Sequence, residues 1–359
     1  MSTRRARPEA GFTLIETMIS MFIMLVVLAG TFTAMTNAMR AEQTARSITT
    51  LNGHLRSSMD LVVRDFLQVG QGLQSGRVVG VPNGVGSQPI VRPGPAAAGA
   101  CAGVTNFPVS PNITAVNVGP DLGPPINGQC TDVITTLAVD GLFDGVAVTA
   151  VAANAQSITI TPAVNISDVP DVNSDNIRVG DLLEVRRGSL SVLQYVTAVA
   201  GQTVTFAPGD PLRLNQFDPA RNMLGTMDQL QVQVGGIQTS RIRMITYFVD
   251  TATNPASPRL VRRLGAAPAN AVAFELEGFR LTYDLADGVT NPSAVRMNAA
   301  DLTAAGDCAP SACSPNQIRK ANVTLAIRSE QRNKQSGYYQ NTLYTQVALR
   351  SLSFVDRYK

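Results

Sequence analysis

The feature that most constrains this chain is an apolar stretch close to its N-terminus. Residues 12–35, FTLIETMISMFIMLVVLAGTFTAM, contain one ionisable side chain, Glu16. A helix rises by about 1.5 Å per residue, so this stretch is long enough to cross a hydrocarbon core of about 30 Å. The sequence therefore predicts a transmembrane helix over about 12–35. Three arginines precede it at positions 4, 5 and 7, and basic flanks favour the cytoplasm, so we expect the bulk of the chain outside.

A cleaved secretory signal also combines a basic start with an apolar core. The stretch in this chain is longer than a usual signal core, no clear small-x-small cleavage site follows it, and a carboxylate lies near its start. The conventional cleaved signal is therefore the weaker interpretation of the N-terminus.

Residues 11–16, GFTLIE, followed directly by the apolar stretch, resemble the class III leader of type IV prepilins and pseudopilins. In that family a prepilin peptidase cuts between the glycine and the phenylalanine and methylates the new amino terminus. The resemblance implies a leader over 1–11, cleavage after Gly11 and an N-methylated Phe12. It also implies that Glu16 neutralises the amine of a neighbouring subunit when helices pack side by side.

The physical chemistry of Glu16 points the same way. A carboxylate inside an apolar span is costly to insert and is a functional candidate when a partner exists. Cleavage would create that partner at Phe12, and such a pair in a low dielectric favours one axial register. The alternative is a glutamate that snorkels to the headgroups. Gly30 would either loosen the helix during extraction or allow close packing.

Beyond Met35 the sequence becomes amphipathic. Apolar residues recur at three- and four-residue spacing, which predicts one long helix over 12–69 with the stop at Gly70 and Gly72. We expect His54 on the surface of this helix. The apolar positions, which should contact a globular head, are Ile48, Leu51, Leu55, Met59, Val62, Val63 and Phe66.

The rest of the chain predicts an α+β protein with a pilin-like antiparallel head. Residues 70–132 are rich in glycine and proline and should form extended loops with a few short strands, with a disordered linker as the alternative. Residues 133–359 carry recurrent β-branched runs with alternating polarity, which predict a β-rich periplasmic or extracellular head. Residues of about 80–230 match no known pattern, so we interpret them as an enlarged β insertion.

Four cysteines fit two disulfides if the head lies in an oxidising compartment. Three pairings are possible, and proximity along the chain favours Cys101 with Cys130 and Cys308 with Cys313. A zinc site is the competing interpretation, but it needs two Cys-x-x-Cys knuckles, and the one close pair has four residues between its cysteines.

Composition and motifs predict no catalysis and no cofactor. The chain has 29 basic and 26 acidic side chains, one histidine and no tryptophan, and it lacks phosphate-loop, GxSxG and dinucleotide fingerprints. A metal site is not expected, although Asp171, Asn173 and Asp175 stand at alternate positions like those of a calcium loop. The match fails because Asn176 replaces the turn glycine and Leu182 the final glutamate.

Basic residues cluster modestly in two places. The near-neutral net charge, +3, makes solvated strand faces a better interpretation than a DNA-binding patch, so DNA is an unlikely partner. The first place comprises Arg259, Arg262 and Arg263, and the second comprises Arg328, Arg332 and Lys334, near Tyr338 and Tyr339. Together they are called the basic cluster.

Three further segments resemble the PilW group of minor pilins and the related J-type minor pseudopilin of type II secretion. They are LRSSMDLVVRDFLQVGQG, ITYFVDTATNPASPRLVRR and YYQNTLYTQVALRSLSF. The resemblance implies a non-enzymatic subunit of type IV pilus assembly, stored in the bacterial inner membrane with a cytoplasmic N-terminus and then moved into a fibre at the cell surface. Its partners would be prepilin peptidase, other minor and major pilins and a tip adhesin, in twitching motility and cell adhesion.

The alternatives are a type II secretion pseudopilin and, from another class, a membrane-anchored adhesin or binding protein. A third alternative, an anchored hydrolase, would need a pair of acidic residues in a cleft, and the sequence offers no such pair to start from.

Overall fold

The structure is a computed structural model. It describes residues 13–73, 78–82, 88–104, 106–108, 110–161, 177–218, 223–224, 236–285, 294–303, 306–309, 312–330, 332 and 337–353. The chain divides into two compact units, Met1–Asn52 and Gly53–Lys359.

A single helix, α1, runs from Leu14 to Leu67 over 54 residues. Just after the helix, the Gly70 N–H donates to the Leu137 carbonyl oxygen at 2.8 Å, so the chain that leaves the helix is bonded to a strand of the head. Gly72 lies at φ 73°, and a Cβ there would come within 2.7 Å of the Val139 Cβ. Glycine is therefore required at this turn by both backbone conformation and close approach.

The head is built from antiparallel strands, as the sequence predicts. A second, short helix, α2, covers Arg350–Ser353. In chain order the strands are β1 (Val78–Gly80), β2 (Asn112–Thr114), β3 (Val116–Gly119), β4 (Pro125–Ile126), β5 (Gln129–Cys130), β6 (Val133–Val139), β7 (Val146–Val151), β8 (Ser157–Ile160), β9 (Leu182–Arg187), β10 (Leu190–Tyr195), β11 (Ala198–Ala200), β12 (Thr203–Thr205), β13 (Phe217–Asp218), β14 (Met223–Leu224), β15 (Ile237–Asp250), β16 (Arg259–Leu264), β17 (Asn270–Ala273), β18 (Leu276–Leu285), β19 (Ile318–Arg328) and β20 (Gln340–Ala348).

The two halves of the 14-residue strand β15 pair with different groups of strands. Its first half pairs with β7 and β9, and its second half pairs with β6 and β16. Strand β3 extends the second group beside β6, and β17 extends it beside β16. A separate sheet has the order β18-β19-β20.

The strands around the first half of β15 close into a small barrel. Hydrogen-bonded neighbours follow the order β10-β9-β15-β7-β8-β12-β11. The two ends of this path, β10 and β11, are joined by Val196 and Thr197 alone. The Val196 N–H donates to the Asp181 carbonyl on one side, and the Thr197 N–H to the Thr205 carbonyl on the other. Closure removes the free edges that an open sheet of this size would expose.

Apolar side chains fill the barrel. Alternation places every second residue of a strand inside, and in β12 the pattern is half-buried Thr203, buried Val204 and half-buried Thr205. The core comprises Phe143, Ala155, Ile158, Ile160, Ile177, Leu183, Val185, Val192, Val196, Val204 and Phe206. All strands of the barrel except β15 therefore lie within the residues of about 80–230, where the sequence predicted an enlarged β insertion.

The glycine- and proline-rich region before β6 is fixed to the head by a buried arginine. Arg92 is 4% exposed and donates to the Thr135 hydroxyl and to the carbonyl oxygens of Asn117, Val118 and Val133. Burial lowers the pKa of its guanidinium to about 10, so the group remains a cation at neutral pH. Carbonyl dipoles thus compensate a buried charge here.

Candidate assembly site

The candidate assembly residue Glu16 lies in the first turn of α1. The Thr13 N–H and the Thr13 hydroxyl both donate to Glu16 Oε2 at 2.9 Å. The Glu16 N–H in turn donates to Thr13 Oγ1 at 3.4 Å. This reciprocal arrangement is a capping box, which satisfies amides that the helix leaves unpaired at its start. The signature, Thr-x-x-Glu, is present in the sequence, but the sequence interpretation did not use it.

The other site residues expected at this end are Gly11 and Phe12, and both lie outside the described residues. Gly30 is within α1, and a Cβ built there would have nothing within 4 Å. The close-packing role therefore depends on neighbouring helices, whereas loosening of the helix depends on the backbone freedom of glycine itself.

The apolar stretch of α1 is exposed along its length. Phe22 is 71% exposed and Leu25 68%. Among the described residues, α1 is the helix long and apolar enough to cross a membrane, and none of its most apolar window is buried. Such a surface needs a bilayer or neighbouring helices to cover it.

The C-terminal part of α1 is anchored to the head through Asp65, which is 4% exposed. The Tyr247 hydroxyl donates to Asp65 Oδ2 at 2.6 Å. The Arg262 guanidinium donates to both carboxylate oxygens, at 2.6 Å from Nε and 3.3 Å from Nη2. Burial and the neighbouring carboxylate raise the pKa of the Tyr247 hydroxyl, so it stays protonated and keeps donating.

This cluster joins two of the three segments that resemble the PilW group. Asp65 belongs to the segment over 55–72, and Tyr247 and Arg262 belong to the segment over 245–263. The Phe66 ring adds an edge-on contact with Tyr247 at 6.3 Å between centroids, a favourable aromatic geometry. Ser58 contributes a further bond, donating to the Val272 carbonyl oxygen at 2.7 Å.

Most of the basic cluster is engaged within the head. Arg259 pairs with Asp250 at 2.7 Å, and Arg262 pairs with Asp65. Arg263 donates to the carbonyl oxygens of Ala266 and Ala267.

Arg328 in the same cluster is also engaged, pairing with Glu275 at 2.9 Å and Glu277 at 3.2 Å and lying 4.6 Å from the centroid of the Tyr338 ring. Arg332 is exposed, and Lys334 lies outside the described residues. Charges already paired attract phosphates weakly.

Both favoured disulfides are present in the structure. Cys101 is bonded to Cys130 with the Cα atoms 5.7 Å apart, and Cys308 to Cys313 with 5.6 Å. The first bond ties the glycine- and proline-rich region to β5, and the second closes a short loop before β19.

The calcium loop cannot be placed, because Asp171, Asn173, Asp175 and Asn176 lie outside the described residues. Leu182, its last position, is a buried residue of β9. His54 is exposed on α1. Within the described part of the chain, no group of three or more histidine, cysteine and acidic side chains is placed to hold a metal ion.

Sequence reasoning also missed two buried carboxylates. Asp132 accepts the Leu281 N–H at 2.6 Å and Arg296 Nη2 at 2.8 Å, and burial raises the pKa of its carboxyl. Glu184 is fully buried; the Ser191 hydroxyl lies near its carboxylate, but the carboxylate oxygens make no hydrogen bond of good geometry with the described residues. The sequence gives no signal of either burial, because Asp132 meets its partners from distant parts of the chain and Glu184 lies in a strand whose own residues do not show that it faces the interior.

Comparison with known proteins gives one match, at the N-terminus. Residues 6–32 match the family profile described as the prokaryotic N-terminal methylation motif. No curated protein and no solved structure matches the chain significantly. The motif implies processing by a prepilin peptidase and assembly with other pilins. The matched leader, the exposed apolar helix and the antiparallel head together support a type IV pilin- or pseudopilin-like protein, a class of structural subunits, with its helix as a membrane anchor.

Proposed function

We propose that this chain is a minor pilin of the PilW type, a structural subunit for the initiation or tip complex of a type IV pilus. Its length of 359 residues, far above that of a usual major pilin, agrees with the PilW group. The contacts of Asp65 with Tyr247 and Arg262 support the subgroup, because they link two segments on which the PilW resemblance depends.

The observation that carries the proposal is a carboxylate at the start of a helix whose N-terminal apolar stretch is exposed. A simple anchor does not need Glu16, since an uncharged residue would insert at lower cost. A helix that packs against others does need it when cleavage between Gly11 and Phe12 creates an amine. The pair would form as the chain leaves the bilayer, with head and disulfides on the periplasmic side.

Glu16 has two separable roles, and the capping box defines how to separate them. Glutamine also completes a capping box, so Glu16→Gln keeps the helix start and removes the charge. Thr13→Ala does the opposite, because it removes the capping hydroxyl and keeps the carboxylate. The two variants form a matched pair for an experiment on the full-length chain in its native bacterium.

The experiment measures each variant in the membrane fraction and in sheared fibres. We expect Glu16→Gln at wild-type level in the membrane and at least about 100-fold depleted from fibres, since breaking one side of a buried ion pair costs about 3 kcal/mol or more. Thr13→Ala should enter fibres normally. An anchored adhesin or binding protein predicts that wild type and both variants stay in the membrane fraction, so absence of wild type from fibres would refute the proposal. Normal fibre entry of Glu16→Gln would refute the role assigned to Glu16.

Mass spectrometry of the N-terminal peptide tests the processing step separately. We expect a peptide that begins at Phe12 and carries an N-methyl group. An intact Met1 end, or a cut beyond Met35, would exclude prepilin processing. Loss of pilus assembly with secretion intact, on deletion of the gene, would separate the pilus role from that of a type II secretion pseudopilin.

A further inference from the structure

The two edges of the sheet β18-β19-β20 differ in how their backbone groups are satisfied. On the β18 edge, the Phe279 carbonyl oxygen accepts the Asp132 N–H, and the Leu281 N–H donates to the Asp132 carboxylate at 2.6 Å. Tyr283 exchanges two backbone bonds with Val295, at 2.8 and 2.9 Å. Strand β18 also has register irregularities near both ends. This edge is therefore closed to another strand.

The β20 edge has none of these protections from the described residues. Its nine residues, QNTLYTQVA, pair with β19 in unbroken register, and they include no charged residue and no proline. Among the described residues, β19 is the strand that pairs with β20. Proteins usually block an exposed edge with a lysine, a proline, a bulge or a covering segment, because a long flat edge recruits other strands.

The register shows which backbone groups of β20 face outward. In an antiparallel ladder, residues in hydrogen-bonded pairs alternate with residues whose N–H and C=O point away from the partner strand. The Leu349 N–H donates to the Arg319 carbonyl at 2.9 Å, and the Ser329 N–H donates to the Tyr339 carbonyl at 2.7 Å. These pairs bracket the ladder and assign the odd-numbered residues of β20 to bonding with β19.

The even-numbered residues therefore direct their backbone groups to the free edge. They include Thr342, Tyr344 and Gln346, and the Thr342 N–H is satisfied locally by Asn341 Oδ1 at 2.8 Å. The Tyr344 side chain is 60% exposed. On the other face of the strand Leu343 is only half-buried, so an added strand could cover it.

We propose that β20 is a docking edge that accepts an extended segment of a different protein as a fourth strand of this sheet. The segment would be uncharged at its centre, with an apolar side chain beside Leu343 and a polar one beside Tyr344. Main-chain hydrogen bonds would supply the affinity, and these flanking side chains the selectivity.

The identity of the occupant rests on the proposed function. Pairing the same edge of two copies requires a two-fold axis, whereas subunits of a fibre whose helices all point one way are related by rotation and rise. A second copy could offer β18 instead, but that edge is closed. A strand from another fibre subunit, or from a protein carried at the tip, meets neither restriction.

The test compares backbone amide exchange, residue by residue, in the purified full-length chain and in sheared fibres. In the purified chain we expect fast exchange at Tyr344 and Gln346 and slow exchange at Leu343 and Thr345. In fibres the first two amides should slow at least tenfold. Tyr344→Pro removes the outward N–H without touching the β19 ladder, so Gln346 should stay fast in fibres. Tyr344→Ala keeps the outward N–H but removes the side chain, so Gln346 should still slow in fibres, by less than in wild type.

Two controls keep the result interpretable. Slow exchange at Leu343 and Thr345 in each variant shows that the sheet is folded. Tyr344→Lys places a charge on the edge without changing backbone chemistry, and it should prevent protection as Tyr344→Pro does.

Other outcomes overturn one proposal or the other. Normal fibre entry with fast exchange at Tyr344 and Gln346 refutes the docking edge and leaves the pilin role intact. Absence of the chain from fibres refutes the pilin role. In that case amide exchange at Tyr344 and Gln346 is compared between the purified chain and the chain in its native cell envelope, and equal exchange rates refute the docking edge. A disulfide-linked homodimer of Tyr344→Cys would identify a second copy as the occupant and refute a different protein.

Discussion

Two stretches of the same helix treat apolar side chains in opposite ways. In the stretch over 14–39 the large apolar residues are exposed, as at Phe22, whereas Leu55, Val62 and Phe66 further along are at most 2% exposed. Both stretches belong to the same helix, so helix propensity does not separate them, but the first is apolar on all sides and the second is amphipathic. The difference teaches that the first stretch carries surface to be covered by a bilayer or other subunits, while the second completes the core of its own head.

The two stretches also differ in whether their carboxylate is paired with a cation within the chain. Glu16 bonds within its own first turn to Thr13, which leaves its charge available to a partner from outside. Asp65 is buried and its charge is matched by Arg262 within the chain. An unmatched charge in an assembly segment and a matched one in the head are what a subunit stored in a membrane and later packed into a fibre requires.

The largest expected effect is on the matched carboxylate. Asp65→Ala leaves Arg262 and Tyr247 without their acceptor, and removing one partner of a buried pair costs about 3–5 kcal/mol. We expect the head of the full-length chain in detergent to unfold at markedly lower urea concentration. Asp60→Ala, at an exposed position of the same helix, is the matched control and should change stability by less than about 0.5 kcal/mol. Equal effects of the two variants would show that Asp65 does not anchor the helix.

The sequence could predict what depends on local pattern. Residues 11–16 carry the prepilin-like cleavage motif and, in Thr13 and Glu16, the signature of the capping box, and the alternation in Phe279-Arg280-Leu281 identifies a half-buried strand. The long helix and the antiparallel head were predicted correctly for this reason. Both disulfides agree with the prediction that each cysteine pairs with the next cysteine along the chain.

The rest depends on contacts between distant residues. Asp65 and Arg262 are 197 positions apart, and nothing in either segment indicates that they meet. Barrel closure depends on β15, whose 14 residues form a single strand although its two halves have different neighbours. The burial of Arg92 was not foreseen either, because arginine in a glycine- and proline-rich segment is ordinarily a surface residue.

The two disulfides of the head should stabilise it by different amounts. In the chain-entropy account a crosslink stabilises more when it closes a longer loop. The Cys101–Cys130 separation is 29 and the Cys308–Cys313 separation is 5. We expect Cys101→Ala with Cys130→Ala to cost about 3.5 kcal/mol and Cys308→Ala with Cys313→Ala about 2 kcal/mol. Urea unfolding of both double variants measures the order, and a reversed order would show that native contacts dominate over loop length.

Glu184 differs from Asp65 because it is a buried carboxylate of the head that is not bonded to a cation. Burial raises the pKa of its carboxyl by more than the nearby Ser191 hydroxyl and Arg186 guanidinium lower it. The folded state therefore binds the proton more tightly than the unfolded state, so this group's contribution to stability falls as pH rises above the usual glutamate range. We expect Glu184→Gln to stabilise the head by about 1–3 kcal/mol at pH 8, with the gain vanishing near pH 4.

Thermal unfolding of wild type and Glu184→Gln across that pH range measures the effect. The matched control is Glu277→Gln, which makes the same change at a carboxylate that is paired with Arg328 and should destabilise rather than stabilise the head at pH 8. A gain for Glu184→Gln that persists unchanged at pH 4 would show that packing, and not ionisation, is responsible.

The smallest expected effect lies at the other end of the comparison, in the helix cap. Thr13→Ala removes the hydroxyl that bonds to Glu16 in both directions, and losing such a cap costs about 1 kcal/mol. Amide exchange in detergent should accelerate about fivefold in the first turn of α1, since about 1.4 kcal/mol corresponds to tenfold. The midpoint of head unfolding should not move, because the cap belongs to the unit Met1–Asn52 and the head to the unit Gly53–Lys359. A shifted midpoint would mean that the two stretches of α1 are energetically coupled, and the contrast drawn between them would then describe exposure alone and not stability.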